Sequence, residues 1–347
     1  MRRICFSIVL LALAVPPASA QRSTMPPTAA DSAAAFANEG TASLFGRARD
    51  ARQRTDSAIL SYTAIVRSRM AAGMRMPLKD RTLFRSETAS RVRWSRHAPH
   101  VVQTLAAREQ TPGGVEVPDG LAVGELFDPS ESDRLYFGFG GDDDDGDDEA
   151  EERDSTEEQD STAARDTQAA ADSTEEDDDE ISFWIEHPLG DAAERHYRYA
   201  TGDTLTIRLQ DGRVVRVVEL RVTPRRDDPH TVRGTLWIDA ASGALVQAAF
   251  RLARTVDILH DFEWSDEEDL DDMDMVPGFL KPFEFDVSLV TVEYSLWEMS
   301  HWLPRTMRTE GMARAGVLKF PASFEVGYEM QDVVIEGDSA TEAAAAR

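Results

Sequence analysis

The sequence predicts an α+β fold in which one N-terminal helix packs on a strongly curved, half-barrel-like antiparallel sheet, interrupted by a disordered acidic insertion. Three observations lead to this prediction. Apolar residues first recur at helical spacing and then, from Ser61 onward, at the two-residue period of strands. The strand-like runs follow one another without the helices that parallel strands need between them. Residues 142–180 carry 21 acidic and two basic residues and no aromatic residue.

Residues 1–20 have the pattern of a secretory signal peptide. Arg2 and Arg3 precede an apolar run, and small residues end the segment at Ala18 and Ala20, as at a cleavage site. The run is shorter than the roughly 20 apolar residues that span a bilayer, and no later segment reaches that length. We therefore expect an exported protein, periplasmic or extracellular, whose mature chain has no transmembrane segment. Cys5, the one cysteine, lies at the start of this segment and not at its cleavage point, so we expect neither a lipid anchor there nor a disulfide.

A disordered leader and then a helix are predicted next. Residues 21–40 are rich in Ala, Ser, Thr and Pro, which is typical of a leader without its own core. Apolar positions then recur at three- and four-residue spacing over about five helical turns, with the arginines largely on other positions. These positions are Leu44, Ala48, Ala51, Thr55 and Ile59. We expect this amphipathic helix to cover a sheet.

Strand-like runs begin directly after the helix. Residues 62–70, 83–94 and 101–107 are predicted strands, and the second alternates around Phe84, Val92 and Trp94. From residue 138 to 180 the chain has too little apolar surface to offset the entropy cost of ordering it. This segment is predicted to be a disordered insertion.

Two hairpins are predicted beyond the insertion. Residues 204–209 and 213–222 flank Asp211-Gly212, and Asp-Gly between alternating runs is a strong hairpin signal. Residues 234–239 and 244–254 form a second pair across a short turn that ends at Gly243. Hairpins make the predicted sheet antiparallel.

Three long β-type runs complete the predicted sheet of eight to ten strands. They are residues 283–297, 302–314 and 317–335, and they follow an acidic stretch, 257–274, with ten acidic residues and no Lys or Arg. The predicted organisation is a signal peptide (1–20), a disordered leader (21–40), the helix and first strands (41–137), the acidic insertion (138–180), the rest of the same sheet (181–336) and a disordered tail (337–347).

The helix followed by a meander of strands resembles the half-barrel domains of outer-membrane lipoprotein carriers and related periplasmic sensors. The segments 221–229, 234–239 and 242–246 look like the central hairpin of those domains, in which a strand ending in Asp is followed by a tight turn. The step Trp302-Leu-Pro304 is similar to one in exported bacterial proteins of unknown function that are attached to outer-membrane barrels. The resemblance implies a hydrophobic cavity for an acyl chain or a partner peptide, and no catalytic residues.

The charge distribution limits the classes of partner. Residues 142–180 carry a net charge of −19, so the remaining chain carries −8 of the formal −27. A mildly acidic folded part argues against nucleic-acid binding and against adsorption on anionic lipid headgroups. We expect a lipid or an envelope protein as partner and no nucleic acid.

Two acidic segments contain candidate metal ligands. The run 141–149 offers hard oxygen ligands that suit calcium, but an EF-hand register would put Gly141 at the first ligand position. Asp257, His260, Asp261 and Glu263 combine carboxylates with an imidazole, as a divalent-ion site does. For both segments we favour a solvated charged surface and predict no metal ligand and no cofactor.

Signatures of catalysis are absent from the sequence. It has no HExxH pair, no Gly-x-Ser-x-Gly elbow and no Gly-rich phosphate loop, and Ser242 falls in a predicted hairpin turn. We therefore predict that the protein is not an enzyme.

Four tryptophans are the candidate ligand-binding residues: Trp94, Trp237, Trp297 and Trp302. All four fall on predicted strands and would line one concave face, although large aromatic side chains also fill ordinary cores. The predicted function is a non-enzymatic exported envelope protein that binds an apolar ligand or a protein partner through its curved sheet. The alternatives are a metal-dependent or calcium-responsive envelope module, and the N-terminal part of a longer outer-membrane protein.

Overall fold

The computed structural model describes residues 27–76, 80–111, 134–139, 181–209, 212–261, 277–298 and 301–336. The predicted signal peptide, the acidic insertion from residue 140 onward and the tail from residue 337 lie outside these ranges. So do most of the second acidic stretch and the calcium-like run 141–149.

Helices are few in the described part of the chain. They are α1 (Ala29–Ala35), α2 (Glu39–Ala58), α3 (Ala193–His196), α4 (Ile258–Asp261) and a 3₁₀ turn (Gly278–Leu280). None of them combines the length and the apolar composition that crossing a membrane requires.

The described strands fall into one large and one small sheet. The strands are β1 (Ile59–Arg75), β2 (Asp80–Ser95), β3 (Ala98–Gln110), β4 (Arg134–Phe139), β5 (Ile181–Glu186), β6 (Tyr197–Arg208), β7 (Val214–Pro224), β8 (Val232–Asp239), β9 (Leu245–Leu252), β10 (Val256–Asp257), β11 (Phe283–Trp297), β12 (His301–Ala315) and β13 (Leu318–Ile335). Strands β4 and β5 pair with each other, and the other eleven form the large sheet.

Helix α1 lies within the segment that composition indicates as a disordered leader. Thr28 and Asp31 form a capping box: the Thr28 side chain accepts from the Asp31 N–H (3.2 Å), and the Asp31 carboxylate accepts from the Thr28 N–H (3.0 Å). Ala35, the last residue of α1, is buried against the sheet. Order therefore begins earlier in the chain than the leader's overall composition indicates.

Helix α2 confirms the predicted amphipathic helix. Asn38 caps its start by accepting a hydrogen bond from the Thr41 N–H at 2.8 Å. Its buried residues are Thr41, Leu44, Phe45, Ala48 and Ala51. Ile59, placed on the helix by its spacing, is buried as the first residue of β1, because the chain turns into the strand there.

The large sheet is antiparallel and not closed. Its main path runs β3-β2-β1-β13-β12-β11-β9-β8-β7-β6, and β10 pairs with β11. The two predicted hairpins are confirmed as the pairs β6–β7 and β8–β9. Nearly all neighbours on the path are also neighbours along the chain; the exceptions are β9 with β11, which have the two-residue β10 between them, and β1 with β13. The pairing of β1 with β13 joins the N-terminal and C-terminal parts of the described chain into one sheet.

The turn between β8 and β9 shows how a local signal fixes a hairpin. The Asp239 carboxylate accepts hydrogen bonds from the Ala241 N–H (3.1 Å) and from the Ser242 hydroxyl (2.6 Å). Gly243 has a φ of +79°, in the left-handed region that favours glycine. The Ser242 hydroxyl therefore has a structural role in the turn.

Candidate functional site

The buried apolar side chains of the described chain form two clusters. The helix-covered cluster joins α1 and α2 to β6, β7, β8 and β9, and it includes Leu44, Phe45, Tyr199, Leu220 and Ile238. In the second, which we call the strand cluster, every buried member comes from a strand: Ile59, Tyr62, Ala64, Val66, Met70, Leu83, Phe84, Val92, Trp94, Phe283, Leu303, Ala315, Phe320, Phe324, Val326, Tyr328, Val333 and Ile335. The strand cluster is the candidate site because all of its buried members lie on strands, while the helices contribute only the half-buried Ala58, Ile258 and Leu280 at its border.

The strand register places the centre of this cluster on one face of the sheet. Directly paired residues of neighbouring strands project to the same face. The pairs are Tyr62 with Trp94, Ala64 with Val92, Val66 with Tyr328, Met70 with Phe324, and Val326 with Met307. The apolar face is therefore continuous from β2 through β1 and β13 to β12.

Aromatic contacts order one end of the cluster. The rings of Tyr62 and Trp94 stack with their centroids 5.6 Å apart and an interplanar angle of 15°. The Arg96 guanidinium lies 5.7 Å from the centroid of Trp94, on its face, as in a cation–π contact. Arg96 also donates to the carbonyl oxygens of Ile59 (3.1 Å) and Asp56. This arginine therefore fixes the end of β2 to the end of α2.

Three tyrosines from three strands approach one another on this face. Burial raises the pKa of the Tyr328 phenol well above its ordinary value, and the nearby Tyr62 and Tyr294 phenols raise it further. Burial also raises the pKa of Tyr294 to about 12. The phenols of Tyr294 and Tyr328 are therefore neutral at physiological pH, and the three tyrosines add hydroxyl groups to an otherwise apolar surface.

Charged groups border the cluster where α2 ends. The Asp56 carboxylate lies 3.5 Å from Nε of Arg52, one turn earlier on the helix. Burial raises the pKa of Asp56 to about 6, although Arg52 and Arg96 act to lower it. This carboxylate therefore titrates close to physiological pH at the junction of the two clusters.

A half-buried histidine, His187, lies on the other side of Arg52. His187 accepts a hydrogen bond at Nδ1 from the Leu189 N–H (2.9 Å), and Nη1 of Arg52 lies 3.0 Å from the same nitrogen. Burial, reinforced by the positive charge of Arg52, lowers the pKa of His187 well below its ordinary value. His187 is therefore neutral and helps to hold α2 in place.

The tryptophans selected from the sequence do not all lie together. Trp94 is a buried member of the strand cluster, and Trp297 packs against it. Trp302, half-buried, pairs with Leu296 across β11 and β12. Trp237 pairs with Glu219 and Gln247, on the face of β8 opposite to the buried Leu236 and Ile238.

Sequence reasoning missed most of the lining residues. Met74, Met307 and Met330 pack half-buried against the strand cluster, and Tyr62 and Tyr328 belong to its centre. The alternation from Tyr62 to Val66 is a signal in the sequence for one buried face. Which methionines meet that face depends on strand pairing, which the sequence alone does not give.

The histidine-containing acidic segment is a network of ion pairs in its described part. Asp261 binds Arg254 through two hydrogen bonds (2.8 and 2.6 Å) and accepts from the Asp257 N–H (2.7 Å). His260 Nδ1 lies 3.0 Å from the Asp257 carboxylate. Glu263 lies outside the described residues. No group of three or more His, Cys, Asp or Glu side chains that could hold a metal occurs within the described ranges.

Comparisons with known proteins give a distant structural likeness. No protein family and no curated protein matches the sequence. A domain from Vibrio parahaemolyticus that is assigned to outer membrane lipoprotein sorting matches with 12% identity over 85% of this chain and 92% of its own, with a TM-score of 0.22. The Pseudomonas aeruginosa MucA/MucB complex structure matches with 10% identity over 88% of this chain and 97% of the other, with a TM-score of 0.20. The chain thus has a distant resemblance to an outer-membrane lipoprotein-sorting domain and to the MucA/MucB structure.

Proposed function

We propose that this protein is an exported, non-enzymatic envelope protein that binds an apolar ligand, such as a lipid acyl chain, in the strand cluster. The observation that carries the proposal is a continuous apolar face on four neighbouring strands whose buried members all come from strands. The signal-peptide pattern of residues 1–20 supports export.

Curvature of the sheet is part of the proposal. Side chains on one face of a flat sheet remain open to solvent unless another layer covers them. A sheet that bends around the strand cluster would bring Val66, Val92 and Val326, each at most 1% exposed, toward one another. Because these side chains are almost fully covered, a ligand on the concave side of such a half-barrel would have to enter between them and the half-buried margin of the cluster.

The margin of the strand cluster suits a ligand of variable shape. Met74, Met307 and Met330 are half-buried there. Methionine side chains are unbranched and polarizable, so they adapt to different apolar groups. The neutral tyrosine hydroxyls would offer polar contacts to an ester or headgroup, and Asp56 with its arginines would stand at the junction with α2.

Native mass spectrometry of the mature chain from Gln21, before and after denaturation, tests the proposal. We expect a co-purifying lipid-sized mass, or stoichiometric uptake of added palmitate, that is lost on unfolding. A chain that carries no lipid and takes up no palmitate would refute an acyl-chain site.

Two methionines of β12 give a matched pair of variants. Met307 packs against the strand cluster, whereas Met312 is five residues away and projects to the opposite face. Met307→Gln places an amide in the proposed groove, so it should weaken palmitate binding about tenfold, an effect of about 1.4 kcal/mol. Met312→Gln should bind as the parent chain does. Equal losses in both variants would contradict the assignment of the face.

Tryptophan emission locates the ligand independently. A fatty acid brominated along its chain quenches nearby indoles, so quenching should decrease in Trp94→Phe and persist in Trp237→Phe. The reverse result would place the ligand on the other face of the sheet.

A further inference from the structure

Strand β3 is the end strand of the large sheet, and no described residue covers its outer edge. All 13 of its residues, Ala98–Gln110, are exposed, including Val101 (55%), Val102 (40%) and Leu105 (45%). Among the described strands only β2 pairs with it, so its outer side presents a row of backbone donors and acceptors. Proteins commonly protect such edges with lysine, short strands or covering segments. β3 is long, has no lysine and includes exposed valines.

The two faces of this edge differ in chemistry. Val102 pairs with Val92, so one face continues the strand cluster to the open edge. Val101 pairs with Arg93, and Gln103 pairs with Arg91, on the opposite face. The register from Val101 to Thr104 is regular, so this part of the edge is a continuous template for another strand.

Positive charge is concentrated beside the same edge. Residues 59–110 contain ten Arg and Lys and three Asp and Glu, a net charge of +7 in a chain with a net charge of −27. Glu87 lies within ion-pair distance of both Arg69 (3.3 Å) and Arg85 (2.6 Å). Arg91 and Arg93 make no ion pair with any described residue, in contrast to Arg69 and Arg85.

We propose that the β3 edge binds an extended acidic peptide as an additional strand. Alternate carboxylates of the peptide would lie on the face of Arg91 and Arg93, and the intervening apolar residues would lie beside Val102. An added strand lies about 9.6 Å from β2, two strand spacings away, a gap that long arginine and glutamate side chains bridge between them. This site is separate from the acyl-chain site of the proposed function.

Charge and edge geometry together select this partner over others. A second copy of the chain pairing edge to edge would bring two segments of net charge +7 together, which opposes association. An anionic membrane would meet the arginines, but lipids would leave the backbone groups of β3 without strand-like partners. An acidic strand satisfies both the backbone and the arginines.

Peptide binding to the full mature chain tests the proposal. The probe is a fluorescein-labelled peptide of about ten residues that alternates Glu and Val, and its binding is followed by anisotropy at low and high salt. We expect binding that weakens with salt. A peptide that alternates Lys and Val should not bind, and failure of the Glu–Val peptide to bind the parent chain would overturn the proposal.

A charge-reversal variant that gains binding of the oppositely charged peptide must be folded, so it tests the edge independently of stability. The double variant R91E/R93E should weaken binding of the Glu–Val peptide about tenfold and should gain binding of the Lys–Val peptide. The control is R233E/R251E, which reverses two exposed arginines that pair with each other across β8 and β9, away from β3. Equal effects of the two double variants, or no gain of Lys–Val binding, would overturn the assignment of the edge.

Hydrogen exchange separates strand addition from adsorption. Amides of β3 between Val101 and Thr104 that face outward should exchange more slowly when the Glu–Val peptide is bound. If R91E/R93E loses peptide binding but the β3 amides of the parent chain exchange no more slowly with the peptide bound, the peptide only adsorbs and strand addition is wrong. If the parent chain binds anionic vesicles but not the Glu–Val peptide, and R91E/R93E loses vesicle binding, the arginines would instead form a membrane-binding surface. Palmitate binding is the separate readout of the proposed function.

Discussion

Replacement of Asp56 by asparagine should stabilise the protein, and the gain should grow with pH. Asp56 lies near the end of α2 with its side chain 22% exposed, 3.5 Å from Nε of Arg52. Burial raises the pKa of this carboxyl from 3.8 to about 6, against the opposing charges of Arg52 and Arg96. The fold therefore favours the protonated acid, which asparagine mimics as a neutral side chain of the same size.

The magnitude follows from proton linkage. Because the pKa is higher in the folded chain, the stability contributed by the protonated form is complete below about pH 3.8 and is lost as the pH rises through about 6. At about 1.4 kcal/mol per pKa unit, the total loss is about 3 kcal/mol. Asp56→Asn should therefore exceed the parent chain in free energy of unfolding by about 1.6 kcal/mol at pH 5 and by about 3 kcal/mol at pH 8.

Urea unfolding followed by tryptophan fluorescence, at several pH values between 5 and 8, measures this difference. When the free energy of unfolding of the parent chain is subtracted from that of Asp56→Asn, the contributions of the other titrating groups cancel. Asp50→Asn, on an exposed position of the same helix, is the matched control and should change stability by less than about 0.5 kcal/mol throughout. A difference for Asp56→Asn that is independent of pH, or a variant less stable than the parent at pH 8, would refute burial as the cause.

Two further predictions concern the core and the turns. Leu220→Ala removes a side chain with no solvent exposure from the helix-covered cluster and should lower the free energy of unfolding by about 2–5 kcal/mol, whereas Val101→Ala on the open edge should lower it by less than about 0.5 kcal/mol in the same urea assay. Gly243→Ala should destabilise by more than Gly212→Ala: both have positive φ, worth about 1 kcal/mol each, but a Cβ at Gly243 would lie 2.6 Å from the carbonyl oxygen of Arg47 on α2, whereas one at Gly212 meets no atom within 4 Å. Equal losses in the two glycine variants would contradict the close packing of this turn on the helix.

Local signals explain why much of the fold could be predicted. Helix α2 follows from the spacing of Leu44, Ala48 and Ala51, and the hairpins β6–β7 and β8–β9 follow from alternating runs joined by Gly-containing turns. Helix α1 was missed because overall composition obscured a capping box of two residues, Thr28 and Asp31.

The candidate site was less predictable. A tryptophan on a strand identifies a large side chain, but the sequence does not say which partners it meets. Trp94 lies beside Tyr62 because β1 and β2 pair in one register, and a shift of one residue would turn either ring to the other face. The environment of Trp237 also depends on strand register, because its position in β8 places it on the other face of the sheet from the buried Leu236.

The sequence by itself determined the elements of this protein: a capped amphipathic helix, antiparallel hairpins and a segment too acidic and too poor in apolar residues to build a core. These depend on interactions between residues near one another in the chain. Only the tertiary structure decided that β1 pairs with β13, that a strand cluster forms across them, and that Asp56 is half-buried at its border. Pairing between distant segments leaves no local pattern, because its free energy comes from side chains that meet only after the loop between them closes.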